Sequence, residues 1–181
     1  MSDLEWAAES NGWGPVERDS SNGEADPGDG NPIKIAGVGY DKGLGAHADS
    51  AVHVFLGQAC DRFTADVGVD DEVGELGSVR FQVYGDGRLL EWTDVLTGGA
   101  EAVPLEVSVS GVTALELRVT NARDGDDYDH ADWAGPMSIW RRSPRPAPSR
   151  SLCSSCCRTC CRSSCSASCC PSWGRSPDSS V

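Results

Sequence analysis

Val79-Arg80-Phe81-Gln82-Val83-Tyr84, followed by Gly85-Asp86-Gly87, decides the fold class. Successive side chains of an extended strand point to opposite faces. Val79, Phe81 and Val83 therefore share one face, and Arg80 and Gln82 the other, as in an antiparallel strand buried on one side. Asp86-Gly87 between apolar runs is a hairpin signal, because the tight turns that join such strands need residues that tolerate positive φ.

The same period of two recurs on both sides. Ala51-Val52-His53-Val54-Phe55-Leu56 reads as a strand. Val103, Leu105, Val107 and Val109 alternate with Pro104, Glu106 and Ser108, and Leu115, Leu117 and Val119 with Glu116, Arg118 and Thr120. The breaks are glycine-rich, at Gly74–Gly77, Gly98-Gly99, Gly111 and Gly125, and 20 of the 21 glycines fall before residue 141. No stretch shows a helical stripe. Residues 1–32, rich in Gly, Asn, Asp, Ser and Pro, read as ordered loops or very short strands. The expected fold is all-β, an antiparallel sandwich or jelly roll of about seven to nine short strands.

Charge divides the chain in two. Residues 141–181 hold Arg141, Arg142, Arg145, Arg150, Arg158, Arg162 and Arg175 against Asp178 alone, and carry +6. Residues 1–140 keep eight basic and 27 acidic side chains and carry −19. A body that acidic repels nucleic acid and anionic membrane and suits a divalent cation. Cysteine divides the same way: Cys60 stands alone in 1–140, and the other eight lie between Cys153 and Cys170. The segment 141–181, mostly Ser, Arg, Cys and Pro, cannot bury enough apolar area to offset its chain entropy, and is expected to be a disordered tail outside a domain of 1–140. Cys153-x-x-Cys156 and Cys157-x-x-Cys160 have zinc spacing, but they abut, lack histidine and have no folded frame, so no zinc site is expected. GC-rich codons read out of frame give this composition, and the frame is expected to shift near residues 135–141.

No apolar run approaches the roughly 18–20 residues of a membrane helix. Asp3 and Glu5 follow Met1 where an export signal would be basic and then apolar, so no signal peptide is expected within the chain. That leaves a cytoplasmic protein or a fragment of a longer one.

Three clusters can carry chemistry. Asp124-Gly125-Asp126-Asp127-Tyr128-Asp129-His130-Ala131-Asp132-Trp133 crowds five carboxylates into ten residues. It reads either as a solvated acidic turn or as hard oxygen ligands for calcium, here or in the Asn22–Asn31 loop. It does not follow the EF-hand pattern, since Tyr128 takes a ligand position and no Glu closes the loop. Asn11–Asp19 supplies an indole, a guanidinium and two carboxylates, and Lys42–Ala48 a histidine. Sugar recognition uses such an inventory: planar forks and rings bridge adjacent hydroxyls, and an aromatic ring covers the apolar C–H face of the pyranose. A lone histidine at a strand end is more often a structural hydrogen-bonder than a ligand. No Gly-x-Ser-x-Gly elbow, phosphate loop or dinucleotide fingerprint occurs, and a carboxylate pair in so acidic a chain arises by chance, so no catalysis is expected.

Five blocks occur in order: Asn11–Asp19, Ser21–Glu24, Gly37–Ala48, Phe63–Glu72 and Tyr128–Ala134. Together they resemble the NPCBM domain, carbohydrate-binding module family 51, over about residues 2–135. The resemblance implies a galactose-binding-like jelly roll with a structural calcium, binding galactose or galactose-containing glycans. It implies a monomeric, non-catalytic module attached to a secreted glycoside hydrolase, such as an actinobacterial α-galactosidase, or else a spacer of the same fold that binds nothing. Carried over, the sugar-binding set is Trp13, Glu17, Arg18, His47, His130, Asp132 and Trp133. The calcium set is Glu24, Asp26, Asp29, Asp124, Asp126 and Asp129. The chain departs from the family at Gly135–Trp140, where a final strand belongs; its loss would leave a sheet edge unpaired.

Overall fold

The computed structural model describes residues 5–141, and side chains from 5 to 135. Of the expected tail 141–181, Arg141 ends β13; the expectations of a coreless tail and cysteine pairs without zinc fall on 142–181, outside the described residues.

Thirteen strands follow one another in the described residues: β1 Ala8–Ser10, β2 Glu17–Arg18, β3 Lys34–Ile35, β4 Val38–Gly39, β5 Gly43–His47, β6 Ser50–Phe55, β7 Cys60–Val69, β8 Ser78–Gly85, β9 Arg88–Trp92, β10 Leu96–Thr97, β11 Val103–Ser108, β12 Ala114–Asn121 and β13 His130–Arg141. One 3-10 turn, Asp71–Val73, stands between β7 and β8. The count exceeds the expected seven to nine because several strands are only two or three residues long. No helix of the described residues is long and apolar enough to cross a membrane.

All pairings are antiparallel. The first sheet runs β1-β6-β12-β8-β10, with β9 also paired to β8; the second runs β11-β7-β13-β5-β2; β3 and β4 form a small ribbon. Alternation legible in the sequence is realised in the first sheet. In β8 the buried Val79, Phe81 and Val83 alternate with the half-buried Arg80, Gln82 and Tyr84. Asp86 and Gly87, both at positive φ, close the β8–β9 hairpin, as a type I′ turn requires.

The second sheet has no such simple signal in β5, which is buried along its whole length. Gly45 lies against the backbone of Ser20–Asn22, where a Cβ would come within 2.3 Å of a backbone carbon of Ser21. This strand is covered by chain on its outer side, so its polar and apolar positions do not alternate.

The inward faces of the two sheets make the core. Trp133 on β13 is 1% exposed and packs between Phe63 of β7 and Phe81 of β8. β13 corrects one expectation. The segment Gly135–Trp140 is not lost; it continues β13 beside β7 as far as Arg141 opposite Cys60, past a bulge between Ala134 and Ser138. The strand is central in its sheet, so no edge is left open there.

Candidate carbohydrate-binding site

Three of the seven expected sugar-binding residues are buried for structural reasons. Trp133 belongs to the core, as described. Glu17 is 3% exposed, and both its carboxylate oxygens accept the Gly28 N–H, at 3.0 and 2.9 Å, so it anchors the loop between β2 and β3. Asp132 is fully buried and neither of its oxygens has a donor. Burial first, then the charge of Asp70 beside it, pushes the Asp132 carboxyl well above the ordinary carboxylate range. All three are covered by the fold.

His47 is also nearly covered, with Nδ1 2.9 Å from the Ala48 carbonyl oxygen. Its ring meets that of His130 edge-on, 5.4 Å between centroids, because His47 of β5 and His130 of β13 are register partners. Trp13 is exposed, on a loop held by one side chain: Asn11 Nδ2 donates to the Trp13 carbonyl (2.7 Å), and Asn11 Oδ1 accepts the His47 N–H (2.7 Å). Gly12 passes so close to Ala48 that a Cβ would sit 2.1 Å from its carbonyl oxygen, which accounts for glycine there. Arg18 stacks over the Trp6 ring, its guanidinium carbon 3.6 Å from the centroid, on the edge strand β2. Within the expected set only His47 and His130 touch, while Arg18 and His130 line two separate hollows, that of Arg18 with Glu5, Trp6, Ala8 and Glu9.

The hollow at His130, roughly 450 Å³, is lined by Asn31, Glu72, Val73, Leu76, Tyr128 and His130. Glu72 organises it from the 3-10 turn. One of its oxygens takes the His130 Nδ1 hydrogen bond; the other accepts from Asn31 Nδ2 (2.9 Å) and the Ser21 hydroxyl (3.1 Å). Burial opposes the Glu72 charge, but the hydrogen bonds from His130, Asn31 and Ser21, with the charge of His130, outweigh it and hold its carboxyl below the ordinary value. Tyr128, 55% exposed and at φ +66°, and the exposed Leu76 give the hollow its apolar walls. Sequence reading passed over Asn31, Glu72 and Tyr128. The three come from separate segments of the chain, and no local pattern groups them.

The six expected calcium ligands do not form a cage. Asp29 spends Oδ2 on the N–H groups of Ala25 and Asp26 (3.0 and 3.1 Å), which lower its carboxyl, while Glu24 and Asp26 are exposed. Asp124 accepts from the Ser78 hydroxyl (2.7 Å) and Asp129 from the Ser78 N–H (2.8 Å); Asp126 is exposed. Among the described residues no three His, Cys, Asp or Glu side chains are grouped to hold a metal. The acidic loop nevertheless gathers charge. Asp124, Asp127, Asp129 and Glu75 line one hollow of about 300 Å³, and Asp129 Oδ2 is buried there without a donor. Desolvation raises the Asp129 carboxyl. The donor chemistry fits a hard cation, although the ligand geometry is not assembled.

Comparison with known proteins agrees with this architecture. Among curated proteins, a putative endo-alpha-N-acetylgalactosaminidase of Renibacterium salmoninarum is 43% identical over 134 residues, 74% of this chain but 9% of that protein. Alpha-1,3-galactosidase B of Akkermansia muciniphila is 30% identical over 105 residues, 56% of this chain and 13% of that one. The chain thus spans about a tenth of the length of these relatives. Among solved structures, the family 51 carbohydrate-binding module of a Clostridium perfringens GH95 protein, in complex with methyl-galactose, superposes with a TM-score of 0.66 at 33% identity, covering 74% of this chain and 93% of that one. The second such module of Clostridium perfringens ZmpB, with its INT domains and GlcNAc, superposes with a TM-score of 0.68 at 32% identity, covering 78% and 30%. The family pattern of the NPCBM/NEW2 domain matches residues 1–138, and the chain belongs to that family.

Proposed function

We propose that this module binds galactose-containing glycans without cleaving them, as the accessory domain of a secreted glycoside hydrolase. The observation that carries the reading is the hydrogen-bonded array Asn31–Glu72–His130 beneath Tyr128. Glu72 fixes the orientation of both partners and leaves His130 Nε2 and Asn31 Oδ1 for sugar hydroxyls. Tyr128 and Leu76 cover the apolar face of the ring. Glu72 is the single carboxylate of that hollow, whereas glycoside hydrolysis needs two flanking the bond. The methyl-galactose and GlcNAc complexes of the related modules, and the enzymes in which the curated relatives occur, support a sugar ligand and an extracellular setting.

Few sugar atoms are buried in so open a hollow, so a single site should bind with a dissociation constant of roughly 10 μM to 1 mM, and retention would come from attachment to an enzyme. Calcium belongs to the proposal as the cation that neutralises the Asp124–Asp129 loop. Calorimetric titration of the chain with galactose, lactose and GlcNAc, with and without calcium, tests the reading. Binding of at least one sugar, lost in Tyr128→Ala and His130→Ala, supports it; no binding by a folded, calcium-loaded protein rejects it.

The burial of Trp133 and His47 favours one second reading, a spacer of the same fold that binds nothing. The same null titration would establish it. The acidic body also argues against nucleic acid and anionic membrane as partners, and we take the module to be a monomer.

A further inference from the structure

Eight basic side chains lie in residues 1–140. Lys34, Lys42, Arg62 and Arg118 are ion-paired, with Asp71, Asp19, Glu106 and Glu116. Arg18 lies over Trp6. Arg80, Arg88 and Arg123 form no ion pair among the described residues; Arg88 is exposed at the start of β9, whereas Arg80 and Arg123 line one cleft of roughly 450 Å³, with Asp49, Gln82, Thr120 and Asn121. Arg80 Nε is buried there without a hydrogen-bond partner. A covered donor without an acceptor costs free energy that a ligand can recover. In a chain of net charge −13, two unpaired guanidiniums in one cleft are a local reversal of sign.

The cleft is built from the outward face of the first sheet. Thr120 of β12 is the register partner of Arg80, and Trp92 of β9 is the partner of Gln82. Directly opposed residues of an antiparallel pair project from the same face. Trp92, 54% exposed, therefore stands beside the cleft as an aromatic wall. Gln82 Oε1 accepts from the Tyr84 hydroxyl (3.3 Å), which leaves its amide N–H groups as donors. At the rim Asn121 Oδ1 accepts the Arg123 N–H (3.0 Å), and Asp49 Oδ1 accepts the Asn121 N–H (3.0 Å).

We propose that this cleft is a second glycan site, distinct from the hollow at His130, which takes an acidic sugar: Arg80 and Arg123 hold its carboxylate or sulfate while Trp92 covers the pyranose ring. A guanidinium fork matches both groups in shape and charge. The two clefts share no lining residue, so the inference does not depend on the galactose reading. Asp49 limits the ligand. Its carboxylate accepts from a hydroxyl and disfavours a dianion, so a singly charged carboxylate or sulfate ester is preferred to a phosphate monoester.

Titrate the full chain, followed by calorimetry and NMR, with galacturonic acid, N-acetylneuraminic acid, galactose-6-sulfate, galactose-6-phosphate and galactose at low and high sodium chloride. At least one of the first three should bind ~10-fold or more tighter than galactose, and the preference should fade with salt. The arm that responds distinguishes carboxylate from sulfate. Arg80→Gln, Arg123→Gln and Trp92→Ala should each weaken that binding, and His130→Ala should not. Arg123 is on the exposed rim, so its variant reads the site even if the Arg80 or Trp92 variant melts early. The proposal is overturned if the acidic sugars bind no tighter than galactose, if the phosphate binds best, or if Arg123→Gln leaves the preference intact.

Discussion

Phe81 of β8 and Trp133 of β13 meet edge to face across the two sheets, with ring centroids 5.0 Å apart and planes at 90°. The contact joins an interior strand of one sheet to the central strand of the other. It also explains why a tryptophan in an acidic, histidine-bearing motif is not a sugar platform: β13 is central, and the alternation that turns Asp132 and Trp133 to opposite sides puts Trp133 on the core side. Trp133→Ala should cost about 3–5 kcal/mol, against a total of about 5–15 kcal/mol for a domain, and Trp133→Phe less. Urea denaturation reads the loss. A tryptophan variant that kept full stability but lost sugar binding would contradict the placement.

The contrast between the two sheets shows what was legible beforehand. β6, β8, β11 and β12 have one face in the core and one toward solvent, so side-chain polarity alone announced them. β5 is covered on both sides, and its Gly and Ala positions report close approach of other chain, which no local pattern encodes. The site behaves alike. His130 was found because it lies in one dense motif, whereas Asn31 and Glu72 reach it from separate loops through hydrogen bonds that only the fold brings together. Arg80 and Gln82 were visible as the polar face of a strand, but their convergence with Asp49 and Arg123 depends on strand order.

Glu72 makes acid sensitivity a test of the array. A carboxyl whose native pKa lies below its unfolded value, near 4.5 here, adds stability above that value and loses it as pH falls through the native one. Wild-type stability should therefore decline below about pH 4.5 more steeply than that of Glu72→Gln, which cannot ionise. Thermal melts between pH 3 and 7 measure the difference. Parallel profiles for the two proteins would show that Glu72 does not hold its charge through this network.

Calcium should stabilise the acidic loop. Ligand that binds only the native state adds about 2.7 kcal/mol at a hundred times its dissociation constant. Addition of calcium should raise the melting temperature, chelator should reverse the rise, and Asp124→Asn with Asp129→Asn should abolish it. An unchanged melting temperature across micromolar to millimolar calcium would remove the ion from the account.

Asp132 predicts the opposite pH dependence to Glu72. Its side chain is enclosed, and the acidic groups facing it are Asp70, which caps the 3-10 turn, and Asp71 and Glu72 within that turn. Asp70 spends its oxygens on the N–H groups of Lys34 (2.9 Å) and Glu72 (2.8 Å), so it stays an acceptor toward Asp132. The neutral acid can donate to it; the ionised one cannot. Because the native pKa lies above the ordinary 3.8, the unfolded chain releases the proton first, and stability falls as pH rises from there toward the native value. Asp132→Asn keeps a donor toward Asp70 and carries no charge to bury. It should match the wild type near pH 4 and become increasingly more stable than it by pH 8. Melting curves of both proteins across that range, without added metal, make the comparison, and a wild type that gained on the asparagine variant as pH rose would show that Asp132 is ionised in the native fold.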